Sequence, residues 1–357
     1  MSKRTEISTL GEFGLIRHLT DDIKPQQPST AKGVGDDCAV IELGEQSKEK
    51  GGRCMLLTTD LLLEGIHFDL TYVPLKHLGY KAAMVNISDV YAMNGQPTQL
   101  TVSIGISKRF CIEDMEQLYE GIKLACQRHN VDIVGGDTSS SLTGLAISIT
   151  CIGHAAKDDI VYRSGAKDTD LICVSGDLGA AYMGLQLLER EKAVFNQTRP
   201  IEGEGQGEGL QPDFQGKEYL LERQLKPEAR GDIINKLHDA GIKPTSMIDI
   251  SDGLSSELMH ICHESHCGCS IYEERLPIDY QTSIQAEQFN LSPVTCALNG
   301  GEDYELLFTV ALKDYERIAQ IEGVHIIGRI EKEEIGAQLI TRDGAEFPLQ
   351  AQGWQHA

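Results

Sequence analysis

The chain has 357 residues, of which 41% are hydrophobic and 24% charged, and its formal net charge at pH 7 is −22. This composition is ordinary for a globular protein long enough for two domains, and the excess of acid argues against a protein that coats nucleic acid or an anionic membrane. The sequence has neither an apolar run long enough for a membrane helix nor the apolar core of a signal peptide at its N-terminus. We therefore expect a cytoplasmic protein whose ten scattered cysteines are buried free thiols.

Hydrophobic periodicity predicts alternating helices and strands in the first half of the chain. Helices are predicted over 11–19, 74–95 and 112–130, and strands over 53–63, 99–107, 131–134 and 145–155. The glycine-rich stretch 135–141 is interpreted as a turn that carries Asp137. Two polar, glycine-containing segments, 42–52 and 198–218, are predicted to be surface excursions without an assigned function.

The pattern begins again after residues 155–159. Strands are predicted over 171–176, 246–251 and 304–312, and helices over 178–191, 228–241 and 251–266. The elements form no regular βαβ repeat and no internal period, which indicates an α+β protein. We place a domain boundary near 153–160 and expect domains at 1–155 and 156–357.

The stretch SMIDISDGLSSEL, residues 246–258, places Asp249 inside an apolar run and Asp252 at a glycine turn. A carboxylate in apolar surroundings is costly unless a cation or hydrogen bonds compensate it. One interpretation is a strand end followed by a helix, with Ser251 or Asp252 as the N-cap. That interpretation accounts for Asp252 but not for Asp249.

Similar acids recur along the chain beside strand ends or glycine turns, often next to Ser or Thr. They are Asp36, Asp37, Asp60, Asp89, Asp137, Glu302 and Asp303. Each one alone fits a solvated turn. Oxygen ligands suit hard cations such as Mg²⁺, and acids that converge without cations repel one another. These acids therefore either lie far apart or share metal ions.

Motifs of several other enzyme classes are absent from the sequence. It has no P-loop, no protein-kinase motif set, no G-x-S-x-G and no H-E-x-x-H. Nucleotide chemistry would therefore need metal ions in place of a P-loop lysine. The run HICHESHCGC, residues 260–269, could supply zinc ligands, but it has no C-x₂-C pair and its residues fan out around a predicted helix, so we discount a zinc site.

The motifs, taken in order, resemble those of the thiamine-monophosphate kinase family, within the aminoimidazole ribonucleotide synthetase superfamily. They are GEFGLI, GVGDDCAV, TTDLLLEGIHF, NISDVYAMNG, VGGDTSSS, YRSGAKDTD, IDISDGLSSEL and NGGEDYELLF. The resemblance implies an α+β, two-domain aminoimidazole ribonucleotide synthetase-like fold. Its N-terminal α/β domain would carry a dimerising sheet that forms a homodimer, and its C-terminal α+β domain would complete a cleft. It implies ATP-dependent phosphorylation of thiamine monophosphate to thiamine diphosphate, with several Mg²⁺ ions.

The resemblance also implies roles for residues that match the family's motifs. The metal ligands would be Asp37, Thr58, Thr59, Asp60, Asp89, Asp137, Asp249 and Asp252. Tyr119, Gly136, Asp137, Arg163 and Ser251 would contact ATP, and His67, Glu302 and Trp354 would line the thiamine site. Arg163 could instead form a structural ion pair, His67 could be a packed or surface histidine, and Trp354 could be an apolar anchor for the tail. TSSS follows Asp137 where the family pattern has an arginine, and the 198–218 excursion is longer than expected.

The acceptor in such a reaction is a phosphate monoester, whose second pKa of about 6 leaves it largely deprotonated at neutral pH. The transfer would then need no general base and no covalent nucleophile, and we name no catalytic residue. Positioning and electrostatic stabilisation would carry a direct in-line transfer. The alternatives are a sibling ATP-dependent synthetase of the superfamily, of the aminoimidazole ribonucleotide or selenophosphate type, and a non-catalytic nucleotide- or cation-binding module.

Overall fold

The computed structural model describes residue 9 and residues 11–44, 52–197 and 213–350. The α-helices within these ranges are α1 (Gly11–Thr20), α2 (Leu75–Ala92), α3 (Ile112–His129), α4 (Ala180–Gln197), α5 (Glu218–Leu225), α6 (Gly231–Asp239), α7 (Leu254–Ser265), α8 (Tyr280–Gln288), α9 (Pro293–Asn299) and α10 (Tyr315–Ile318). The β-strands are β1 (Thr30–Lys32), β2 (Ala39–Glu42), β3 (Arg53–Leu63), β4 (Gln96–Ile106), β5 (Asp132–Ser140), β6 (Ala146–Ala156), β7 (Leu171–Ser175), β8 (Ser246–Asp249), β9 (Gly268–Tyr272), β10 (Leu306–Val310), β11 (Val324–Glu331), β12 (Ala337–Ile340) and β13 (Glu346–Pro348).

The first sheet contains six strands in the order β1-β2-β3-β6-β4-β5. All neighbours are antiparallel except β4 and β5, which are parallel. Helices α2 and α3 cover one face, where apolar side chains from the helices and strands form a buried core. The opposite face of the sheet is exposed within one chain. Leu61 of β3, whose side chain lies on that face, is 54% exposed. We call this surface the open face.

The second sheet contains seven strands in the order β13-β12-β9-β11-β7-β10-β8. Its neighbours are antiparallel except β9 and β12, which are parallel. One apolar core lies between this sheet and α7, and a second core joins the sheet to α6. The edge strand β8 ends at Asp249 and lies against α2 of the first half. The carboxyl end of β8 is therefore at the junction of the two halves.

The predicted elements are largely confirmed, with one instructive difference in the first sheet. Residues 135–140 continue strand β5 instead of forming a turn, and the parallel pairing with β4 extends to Ile106 opposite Ser140. The glycines lie in a strand that is hydrogen-bonded to β4, and this pairing outweighs their local preference for a turn. Gly136 is required there, because a Cβ at this position would lie 1.8 Å from the carbonyl oxygen of Val102.

The cysteines follow the expectation from the sequence. All ten lie within the described residues and all are free thiols, eight of them buried. The expectation of unpaired, mostly buried cysteines is confirmed. Across the described ranges, every helix is too short or too polar to cross a lipid bilayer.

Two glycines allow α2 and α3 to cross at very short range. A Cβ at Gly79 would lie 2.0 Å from the carbonyl oxygen of Leu118, and a Cβ at Gly121 would lie 1.9 Å from that of Lys76. Both contacts are with helical backbone, which cannot rotate away as a side chain can. The close crossing fixes the position of α2, the helix that reaches both halves of the molecule.

We expect Gly121→Ala to lower the free energy of unfolding by about 1–3 kcal/mol, the usual cost of overpacking. The sign is informative, because alanine in place of glycine in a helix normally stabilises by about 1 kcal/mol. Denaturant unfolding followed by circular dichroism measures the difference. Gly33→Ala is the control, since nothing lies within 4 Å of a Cβ at that position. A variant as stable as the wild type would show that the two helices can separate without cost.

Candidate functional site

Three carboxylates from distant parts of the chain meet at the junction of the two halves. Asp37 precedes β2, Asp89 lies near the end of α2, and Asp249 is the last residue of β8. One oxygen from each lies within 4.8 Å of the others. Asp37 and Asp249 are buried, at 8% and 4% exposure. We call these three residues the carboxylate cluster.

Hydroxyl groups on neighbouring elements orient the carboxylate cluster. Ser88 Oγ donates a hydrogen bond of 2.5 Å to Asp249 Oδ2, and Thr58 Oγ1 donates one of 2.6 Å to Asp89 Oδ2. The first bond joins α2 to the second sheet, and the other joins α2 to β3. Asn86 on the same helix accepts the backbone N–H of Asp60 at 3.2 Å. Helix α2 therefore fixes the acids of both halves relative to one another.

Burial and mutual repulsion raise the pKa values of these acids. Burial raises the pKa of Asp37 to about 7, with Arg163 opposing the change and Asp249 adding to it. Burial raises the pKa of Asp60 to about 6. Burial raises the pKa of Asp249 to about 6 as well, with the hydrogen bond from Ser88 opposing the change. Burial, followed by repulsion from Asp60 and Asp249, raises the pKa of Asp89 well above its ordinary range.

Burial disfavours the charged form of these acids, and Arg163 offsets this only in part at Asp37. Asp37 Oδ2 and Asp60 Oδ2 are buried without a hydrogen-bond partner. A buried acceptor without a partner costs roughly 1–3 kcal/mol, and more when it is charged. A divalent cation would be coordinated by these oxygens, and its charge would offset the repulsion between the carboxylates. Hard carboxylate oxygens are the ligands that Mg²⁺ prefers. The residues present therefore fit magnesium.

Arg163 is the guanidinium nearest the carboxylate cluster. Its Nε and Nη2 both donate to Asp37 Oδ1, at 3.1 and 2.5 Å, and its backbone N–H donates to Asp36. The ion-pair interpretation of Arg163 therefore describes the contacts within this chain. Arg163 also lines the cavity described below, which leaves its role toward a ligand as a prediction.

The turn after β8 is held by a residue that the sequence did not single out. Glu257 Oε1 accepts the backbone N–H of Ser251 at 3.0 Å and that of Asp252 at 2.7 Å. Helix α7 begins at Leu254, with Gly253 as its N-cap and no side-chain cap bond. The N-cap interpretation of Ser251 and Asp252 is therefore wrong, because the turn is fixed by a carboxylate reaching back from the helix.

A cavity of about 510 Å³ opens beside the carboxylate cluster, within the usual size range of ligand sites. Residues of both halves line it. Of the residues predicted from the sequence, the lining includes Asp60, His67, Arg163, Ser251, Asp252 and Glu302. Lys81, Tyr182, Gln224 and Glu257 also line it and were not predicted. In the sequence, Lys81 is indicated only as a lysine within an apolar helical run, and Glu257 only as a glutamate one turn after a glycine turn.

Four predicted residues within the described ranges neither contact the carboxylate cluster nor line the cavity. Thr59 is exposed on the open face, where its hydroxyl accepts a hydrogen bond from Thr150. Asp137 pairs with Ser103, which pairs with Ser148, which pairs with Leu61, so its side chain also lies on the open face. Gly136 is on the same edge strand, and Tyr119 lies on α3, half-buried against the first core.

Three further expectations concern the second half of the chain. Trp354 lies outside the described residues, as does most of the 198–218 excursion. Among the residues that the structure describes, the ligand atoms close enough to share a metal ion are those of the carboxylate cluster, and the 260–269 run is not part of such a group. The zinc alternative gains no support.

Comparison with known proteins places the chain in a family. The model of the AIR synthase related protein, N-terminal domain, matches residues 35–155. A thiamine-monophosphate kinase of Aquifex aeolicus is 33% identical over 98% of this chain and 99% of its own length, and one of Bacillus subtilis is 30% identical over 97% and 99%. The solved structure described as AaThiL complexed with AMPPCP and TMP is 31% identical, covers 100% of both chains and superposes with a TM-score of 0.80.

The expected aminoimidazole ribonucleotide synthetase-like α+β fold is therefore confirmed. The similarity to the Aquifex aeolicus enzyme spans nearly the whole length of both proteins. The chain belongs to the thiamine-monophosphate kinase family of enzymes.

Proposed function

We propose that this protein transfers the γ-phosphoryl group of ATP to thiamine monophosphate and forms thiamine diphosphate and ADP. The observation that carries the proposal is the carboxylate cluster, which three distant segments build beside a cavity of about 510 Å³. Full-length similarity to thiamine-monophosphate kinases supports the choice of substrates, as does similarity to a solved complex with AMPPCP and TMP.

Magnesium is the proposed metal, and several ions are expected. Asp37, Asp89 and Asp249 would hold it, with Thr58, Asp60 and Asp252 near enough in the fold to complete further sites. When bound, Mg²⁺ supplies the positive charge that lets two phosphates approach each other. The pKa shifts and the unpartnered carboxylate oxygens support this assignment.

The chemistry needs positioning more than proton transfer. An oxygen of the acceptor phosphate attacks the γ-phosphorus, the bond from that phosphorus to its bridging oxygen breaks, and ADP leaves. The acceptor is already deprotonated at neutral pH, so no side chain has to remove a proton. Arg163 and the Ser251–Asp252 turn would orient the nucleotide, and His67, Glu302 and Trp354 would orient the thiamine portion.

We propose that residues 1–155 form one domain and 156–357 a second, and that two copies pair through the open face as a homodimer. The sheet keeps Asp137 on the face opposite the carboxylate cluster and three strands from β3, about 14 Å away at the usual spacing. Asp137 and the side chain of Thr59 lie on the open face, so they would face the partner subunit in such a homodimer. The exposure of Leu61 supports an apolar contact there.

We expect ADP release from Mg-ATP to depend on thiamine monophosphate, because the acceptor phosphate completes the site. A coupled assay for ADP, with and without thiamine monophosphate, measures this directly. Excess EDTA should abolish the reaction and added Mg²⁺ should restore it. ATP binding without turnover would favour a non-catalytic module, and turnover only with a different acceptor would favour a sibling synthetase.

We expect Asp249→Asn to reduce turnover at least about a hundredfold, since an amide removes one negative charge from the proposed metal site. The fold should persist, because the amide oxygen can still accept the hydrogen bond from Ser88. In EDTA the melting temperature should not fall, since the change removes repulsion between buried acids. Asp239→Asn is the matched control, as that side chain is 86% exposed. Wild-type turnover in Asp249→Asn would refute the metal assignment.

We expect Ser148→Arg to convert a homodimer into monomers. Ser148 lies in β6, at the middle of the open face, between residues of β3 and β4. A long charged side chain there would prevent two faces from packing while leaving the single chain unstrained. Sedimentation velocity measures the mass of both proteins, and Ser29→Arg, at an exposed position, is the control. A monomeric wild type, or a variant that remains dimeric, would contradict the proposed interface.

A further inference from the structure

We propose that Lys81 is a positioning residue for substrate recognition. Together with Gln224, it holds the carboxylate of Glu302 so that its remaining lone pairs accept the amino N–H donors of the pyrimidine ring of the acceptor. The inference rests on the proposed function and extends it to the selection of the acceptor. No motif in the sequence pointed to Lys81 or Gln224.

Lys81 is a buried lysine at the wall of the cavity. It is 5% exposed and lies on α2, amid the buried residues of that helix. Its Nζ lies 2.8 Å from Glu302 Oε1 and donates to the backbone carbonyl of Gln224 at 3.3 Å. Lysine is among the residues least often buried, and a buried charge is costly unless it is paired. The ion pair with Glu302 compensates the charge of Lys81 and so permits its burial.

Glu302 is held at both of its carboxylate oxygens. Lys81 pairs with Oε1, and Gln224 Nε2 donates to Oε2 at 2.8 Å. A carboxylate has about four acceptor sites, so these two contacts leave room for two more. The side chain of Glu302 is 31% exposed and lines the cavity. The unused acceptor sites are therefore available to a ligand.

The backbone of Glu302 is also constrained. Its φ is +58°, a left-handed conformation that few non-glycine residues adopt. Its N–H donates to the carbonyl oxygen of Ser251 at 2.7 Å, which ties it to the turn beside the carboxylate cluster. Strain of this kind persists where the surroundings over-determine the conformation, and such positions concentrate at ligand sites. Contacts from three elements, α2, α5 and the turn after β8, thus fix one side chain before any ligand binds.

The charges around Glu302 favour a neutral donor group over a phosphate. Across the cavity wall, Lys192 pairs with Asp69 at 2.7 Å and with Glu189, and Glu189 also accepts the hydroxyl of Tyr72. This end of the cavity therefore contributes three carboxylates against two lysines. Its net negative charge disfavours a phosphate, and Glu302 is already paired with the ammonium group of Lys81. An amino group on an aromatic ring matches the unused acceptor sites of Glu302.

The test is the variant Lys81→Met, which keeps the length of the side chain and removes its charge. We expect about tenfold weaker binding of both thiamine and thiamine monophosphate, in equal proportion, because a hydrogen-bonded charge contact is lost at the ring end. The affinity for the ATP analogue AMPPCP should be unchanged. Isothermal titration calorimetry measures all three. Lys76→Met is the matched control, since that lysine lies on the same helix and pairs with Glu120 but is exposed.

A double-mutant cycle separates positioning from a general structural role. If Lys81 acts through Glu302, then Lys81→Met combined with Glu302→Gln should bind thiamine no more weakly than Glu302→Gln alone. Additive losses would overturn the inference. Gln224→Met provides a second variant should Lys81→Met fail to fold, and it should weaken thiamine and thiamine monophosphate several-fold in equal proportion.

The outcomes distinguish this inference from the proposed function. A wild-type protein that does not phosphorylate thiamine monophosphate would refute the proposed function itself. If the wild type is active, unchanged affinities in Lys81→Met would overturn the positioning role. A loss confined to thiamine monophosphate would overturn it too, because Lys81 would then contact the phosphate. Equal losses for AMPPCP would likewise do so, since the change would then have disturbed the whole cavity.

Discussion

The repulsion between buried acids is the constraint on which the rest of the structure depends. Asp37, Asp89 and Asp249 come from three separate segments, and each carries a cost of burial that the others increase. A fold built only for stability would not bring them together. Their hydroxyl and guanidinium partners reduce the cost but do not remove it, as the two unpartnered oxygens of Asp37 and Asp60 show. A divalent cation shared by these carboxylates would offset the repulsion that remains.

Helix α2 connects the carboxylate cluster to the wall of the cavity. Two glycines, Gly79 and Gly121, allow it to press against α3, and this contact fixes its position under the first sheet. From that position it reaches the second sheet through Ser88. It also reaches the cavity through Lys81. One helix therefore supplies contacts to the proposed metal-binding end and to the proposed thiamine end of the same site.

The sequence predicted the elements that carry strong periodicity and the acids that contradict it. Asp249 could be singled out because it interrupts an apolar run, and the structure brings it to Asp37 and Asp89. Thr58 and Thr59 were grouped as ligands, although alternation along a strand directs neighbouring side chains to opposite faces. Asp137 was assigned to a turn because glycine favours turns locally, whereas pairing with β4 extends the strand. Lys81 and Gln224 could not be assigned a role, since their partner Glu302 is distant in sequence.

The spacing of residues along α2 has a consequence for the choice of acceptor. Lys81 and Asp89 lie about two turns apart on this helix, a separation of about 12 Å along its axis. If one end anchors an aromatic ring and the other the reacting phosphates, the spacing along the helix sets the length that an acceptor must span. A shorter phosphate ester could be held by its ring or presented for reaction, but not both at once. The spacing along the helix would then select acceptors of matching length.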